Sequence, residues 1–93
     1  MAPSTRPKRG HNILGSRIRE ARARLRAGMS QADLAAKLTI RGIPLDRASV
    51  TRIENGNRFI KDFEIRAIAS VLRVSVSWLF KETDQSKPLP RKR

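Results

Sequence analysis

The sequence has no cysteine and no tyrosine, and it holds one histidine, one tryptophan and three phenylalanines. Without cysteine there is no disulfide, no iron–sulfur cluster and no zinc finger. The single histidine, His11, lies in a basic segment and reads as a tail residue, so neither a metal nor a cofactor is expected. So few rings argue against single-stranded nucleic acid held by stacked bases. No apolar run approaches the ~20 residues of a membrane-spanning helix. The N-terminal MAPSTRPKRGHN has no apolar stretch of the kind a secretory signal needs, so the cytoplasm is the expected location. There is also no glycine-rich phosphate loop, and Glu20, Asp33, Asp46, Asp62 and Glu64 read as helix caps and helix-end charges. An enzyme is not expected.

Acids are scarce as well, and positive charge is what the chain has in excess. Lysine and arginine total 21 against 8 acids, a formal charge of +13. Such a surface attracts polyanions, nucleic acid first among them. The length, 93 residues, suits one domain. Residues 1–12 contain Arg6, Lys8 and Arg9 without an acid, and KPLPRKR ends the chain. Segments 1–12 and 82–93 are expected to be disordered basic arms, because neither has apolar surface to offset ordering entropy. The body between them, 13–81, is basic without their help.

Apolar residues in the body recur at helical spacing, and five helices are predicted. Leu14, Ile18, Ala21 and Leu25 give the first, with Asn12 as its N-cap and Gly28 after its end. Arg17, Arg19, Arg22 and Arg26 form its opposite, solvated face. Ser30 and Asp33 have capping-box spacing, flanked by Met29 and Leu34 as a hydrophobic staple. Leu34, Ala35 and Leu38 form the buried face of that second helix, which ends near Arg41 and Gly42. Asp46 caps a short third helix with only Val50 and Ile53 to bury. Its remaining arc is Arg47, Ala48, Ser49, Thr51 and Arg52. A fourth helix over about 62–72 buries Phe63 or Ile65, with Ile68, Ala69 and Leu72. A fifth from Ser75 turns Val76, Leu79 and Phe80 inward, and Trp78 reads as packing.

The runs SQADLAAKL, ASVTRIENGNR and EIRAIASVLRVSVSWLF, in this order, resemble the Cro/repressor-type (XRE-like) helix-turn-helix domain over residues 13–80. The resemblance implies an all-α, five-helix bundle in which helix 3 lies in the major groove and helix 2 crosses the phosphate backbone. By position, Arg47, Ala48, Thr51 and Arg52 are then the expected base contacts. Gln31, Ser49, Asn55, Asn57 and Arg58 are the expected phosphate contacts. Arg24 and Glu54 match positions that form a structural ion pair between helices 1 and 3. Three departures stand out. TIRGIPLD, between helices 2 and 3, is several residues longer than the family's tight turn and is expected to extend helix 2 before a loop. Lys61 replaces the usual serine or threonine cap of helix 4, and Arg73 stands where glycine normally ends it.

These readings point to a sequence-specific regulator of transcription, with repression the expected action, that binds double-stranded DNA as a homodimer. Helix 5 and its neighbours are the expected dimer surface. An antitoxin-like module whose basic tail holds an acidic protein partner is the alternative, and nonspecific nucleoid-like binding a third reading.

Overall fold

The computed structural model describes residues 10–25 and 27–80. The arms expected at the two ends fall outside those residues, except that 10–12 prove to belong to the fold. Five helices follow one another: α1 (Gly15–Arg24), α2 (Gln31–Ile40), α3 (Arg47–Glu54), α4 (Asp62–Leu72) and α5 (Val76–Leu79). The described residues contain no strand. The fold is an all-helical bundle, as the spacing predicts.

The apolar stripes meet in one core. Leu14, Ile18 and Ala21 from α1 and its cap, Leu34 and Leu38 from α2, Val50 and Ile53 from α3, and Ile68 and Leu72 from α4 are all buried. Leu38 and Leu79 retain no exposure, and truncating such a leucine to alanine costs ~2–5 kcal/mol. Phe63 is 54% exposed, while Ile65 is half-buried against the core. Of the two alternatives, the isoleucine is therefore the inward residue. Val76 is 39% exposed, so α5 anchors through Leu79, with Phe80 half-buried, and not through Val76.

Local chemistry accounts for most boundaries. Ser30 Oγ accepts from the Asp33 amide at 2.9 Å, and the Asp33 carboxylate accepts from the Ser30 amide at 3.2 Å. Asp46 accepts from the Ser49 amide at 2.8 Å, and Ser75 Oγ from the Trp78 amide at 2.9 Å. Lys61 has no acceptor to offer α4. The Glu64 carboxylate instead takes the Lys61 amide at 3.0 Å, which is half of a capping box. Arg73 ends α4 in the left-handed region at φ 61°, a conformation that an L side chain adopts at a cost. α1 stops at Arg24, several residues before Gly28.

Asn12 does more than cap. Leu14 is the nominal N-cap of α1 and makes no side-chain cap bond. The Asn12 carbonyl oxygen accepts from the Leu14 and Gly15 amides, both at 2.9 Å. Its amide nitrogen donates to the Ile53 and Arg58 carbonyls at 3.0 and 2.8 Å. One side chain thereby ties the start of α1 to the end of α3. Gly15 makes that approach possible, since a Cβ there would lie 2.5 Å from the Ile53 carbonyl oxygen. His11 packs edge-on against Phe59, with centroids 4.8 Å apart, and so is part of the fold and not a tail residue.

Candidate nucleic-acid interface

Burying Val50 and Ile53 fixes which side of α3 faces solvent. Arg47, Ala48 and Arg52 are exposed, and Ser49 and Thr51 are half-buried. Positions 47, 48, 51 and 52 occupy one arc of a helix, so the four expected base-reading residues are brought together on one face. Ala48 keeps the middle of that face low, and the two arginines flank it.

Behind this arc lies a polar network. Thr51 Oγ1 donates to Gln31 Oε1 at 2.6 Å, with the Arg47 carbonyl a second acceptor at 3.0 Å. Gln31 Nε2 donates to Glu54 Oε1 at 2.9 Å. Arg22 grips both oxygens of Glu54, Nε to Oε2 at 2.6 Å and Nη2 to Oε1 at 2.8 Å, and its Nη1 donates to the Met29 carbonyl at 2.6 Å. The Glu54 side chain has no exposure and that of Arg22 has 15%. The hydrogen bond to Glu54 raises the pKa of Arg22 above its ordinary value, so the guanidinium keeps its charge in this buried contact.

The ion pair expected between Arg24 and Glu54 is therefore corrected: Glu54 pairs with Arg22. Arg24 points elsewhere, 3.6 Å from Glu20 and over the Trp78 ring at 5.5 Å. The arginine face of α1 is not merely solvated either. Arg17 stacks on Trp78 with its guanidinium carbon 3.7 Å from the ring centroid, and its Nε donates to the Trp78 carbonyl at 3.1 Å.

The expected phosphate contacts divide. Asn55 and Asn57 are exposed just beyond α3, on the same end of the helix as Arg52. Ser49 is half-buried, its backbone amide held by Asp46. The Gln31 side chain turns inward to Thr51 and Glu54, leaving the first turn of α2 to present mainly backbone N–H groups. Arg58 is committed to the fold: Nη1 lies 2.9 Å from Glu64 Oε1 and also donates to the Phe59 carbonyl at 2.9 Å. Burial pushes the Glu64 carboxyl upward, but Arg58 and the Lys61 amide outweigh it and hold its pKa below the ordinary value.

Arg19, expected on the solvated face of α1, also reaches the end of α3. Its side chain is 57% exposed and reaches Asn55 Oδ1 at 3.2 Å and Glu54 Oε1 at 3.6 Å. It therefore adds a cation beside the exposed end of α3. Spacing offered a signal, because Arg19 lies one helical turn before Arg22, the residue that meets α3.

Arg47 and Arg52 are exposed, Arg19 stays 57% exposed although it lies 3.6 Å from Glu54, and Glu54 and Asp46 are engaged by Arg22, Gln31 and the Ser49 amide. The face carries more cations than free carboxylates and is the outward side of one helix. Such a shape fits the major groove, which admits an α-helix and shows each base pair in a distinct hydrogen-bonding pattern. Among the described residues there is no cluster able to hold a metal ion, and no helix is long and apolar enough to cross a membrane.

No curated protein and no solved structure matches the chain. A family model does: the one described as Helix-turn-helix matches residues 18–79, from within α1 to the end of α5. With two thirds of its length so matched, the chain belongs to the Cro/repressor-type (XRE) helix-turn-helix family, whose members are DNA-binding regulators of transcription.

Proposed function

We propose that this protein represses transcription by binding a specific operator as a homodimer, with α3 of each copy in the major groove. The observation that carries the reading is the outward arc of exposed Arg47, Ala48 and Arg52 with half-buried Thr51, on a helix whose other side is locked into the core. Arginine's fork matches the O6 and N7 acceptors of guanine, and a bidentate contact of that kind discriminates by ~1–3 kcal/mol. The backbone amides opening α2, together with Ser49 on α3, Asn55 and Asn57 just beyond it and Arg19 beside its end, suit phosphate oxygens, which fix register without reading sequence. A helix of 8 residues reads few base pairs. Two copies about one DNA turn apart, ~34 Å, double the site. Repression then follows from occupancy of a promoter, and cytoplasmic protein would concentrate on the nucleoid.

The test is selection of binding sites from a random duplex library, followed by Arg47→Ala and Arg52→Ala on the best site, its single-base variants and random DNA. The expected result is a two-half-site motif in which each substitution relaxes one or two base positions and spares nonspecific binding. Equal losses on all sequences would show that α3 does not read bases. No enriched motif would leave only nonspecific binding.

A further inference from the structure

Away from the reading arc, the outer side of α2 and the C-terminal end of α4 enclose a groove of about 570 Å³. No residue of α3 lines it. Its apolar surface comes from Leu25, Met29, Ile40 and Val71. Ile40 is 84% exposed, by far the most exposed large aliphatic side chain among the described residues. Along the rim stand Lys37, Arg41 and Arg73. None of the three has a carboxylate partner among the described residues. Arg41 is preset by donating to Ser70 Oγ at 3.0 Å, while Arg73 holds its place in a left-handed backbone conformation. The one acid on the rim, Asp33, is engaged with the backbone of Ser30 in the α2 cap.

We propose that this groove docks an acidic, amphipathic helical segment of a different protein while α3 is on DNA. Aliphatic anchors of the segment would cover Ile40, Met29 and Leu25, and its carboxylates would meet Lys37, Arg41 and Arg73. Helix-in-groove recognition uses this division between an apolar stripe and a charged flank. Charge decides the occupant. A second copy of this chain carries +13 and would oppose the three cations of the rim. Nucleic acid satisfies the cations but has nothing to place on four aliphatic side chains.

The probe is a displayed library of helical peptides, about 15 residues long or four turns, with acidic, basic, neutral polar and aliphatic residues varied at every position. It is panned on the full chain and again on the full chain bound to duplex DNA. The expected winners carry aliphatics at i, i+3/i+4 and i+7 with glutamate or aspartate beside them, on both targets. Their affinity should fall at least tenfold in Ile40→Asp and in Lys37→Glu/Arg41→Glu. Ile40 is exposed, so its variant should keep the thermal midpoint of the parent. Winners without acidic residues, no winners, or winners indifferent to these substitutions would overturn the proposal. So would loss of duplex binding by Ile40→Asp, which would assign the groove to DNA. Operator selectivity is measured separately, so failure of the groove and failure of the reading helix remain distinguishable.

Discussion

Replacing Arg22 with alanine should destabilise the fold more than any other exchange of a charged residue on α1. The guanidinium makes a two-pronged contact with a carboxylate that has no solvent exposure, and its third donor holds the Met29 carbonyl just before the α2 cap. Removing it leaves Glu54 with the Gln31 amide at 2.9 Å and Arg19 at 3.6 Å. Loss of one partner of a buried pair costs ~3–5 kcal/mol. The two remaining contacts place this case at the low end, about 3 kcal/mol. For a domain of this size each 1 kcal/mol moves the thermal midpoint by roughly 4–8 °C, so a fall of at least about 12 °C is expected. Arg24→Ala should cost well under about 1 kcal/mol, since its contact with Glu20 is exposed. Urea unfolding of Arg22→Ala, Glu54→Ala and the double variant closes the cycle, with coupling on the order of 1–3 kcal/mol expected. Coupling near zero, or an Arg24→Ala loss as large as that of Arg22→Ala, would refute the network.

Gly15→Ala should destabilise by about 1–3 kcal/mol in thermal unfolding, because the new methyl meets the Ile53 and Glu54 carbonyls; an unchanged midpoint would mean that α1 and α3 do not approach this closely. Stability should decline as pH falls below about 4.5, the ordinary value for Glu64. Glu64 and Asp46 hold protons more weakly folded than unfolded, so their contributions are complete above the ordinary values and vanish as pH drops through the lower folded ones. Glu64→Gln should shrink the difference in urea midpoint between neutral and acid pH, and an unchanged difference would count against the Arg58–Glu64 pair. Deleting residues 1–9 and 82–93, which carry seven of the bases, should flatten the salt dependence of duplex binding, with base preference kept. The log–log slope should fall by about 0.9 for each phosphate that the shortened chain no longer neutralises, and an unchanged slope would mean those bases touch no DNA.

Local chemistry was legible in the sequence and long-range pairing was not. Ser30 with Asp33, and Asp46 ahead of Val50, state helix starts within four residues, and both caps form as expected. Arg73 likewise takes the left-handed turn that its place in the pattern requires. Matching Arg24 to a family position failed because neighbouring arginines on α1 face different ways. Arg22 lies one turn after the buried Ile18 and next to Ala21, at the edge of the core stripe, whereas Arg24 lies off it. Nothing local announces that Arg17 crosses to Trp78 or that Asn12 reaches the end of α3. Each joins segments whose meeting depends on the whole bundle. Arg58 lies only six residues before Glu64 and pairs with that buried carboxylate, so a phosphate contact there would share its guanidinium with the fold.

The long connection between α2 and α3 leaves the two helices in a fixed relation to each other. Thr39 and Ile40 are absorbed into α2, and Gly42 turns the chain at φ 84°. The Ile43 amide returns to the Leu38 carbonyl at 2.9 Å, closing the helix end. Leu45, 2% exposed, then anchors the chain in the core immediately before the Asp46 cap. The added residues thus form a compact, pinned turn. At the opposite end of α2, Gln31 joins both Thr51 and Glu54, so the two helices are fixed to each other at both ends. Thr51 belongs to this brace and to the exposed arc at once. Its hydroxyl has one hydrogen, and the shorter of its two bonds gives that hydrogen to Gln31. In the proposed docking Thr51 therefore meets a base edge as an acceptor with a methyl group beside it, and it cannot also donate there. Donation then falls to Arg47 and Arg52 at the two edges of the arc, and in that docking the brace that sets the angle of α3 also decides which hydrogen-bonding pattern it can recognise.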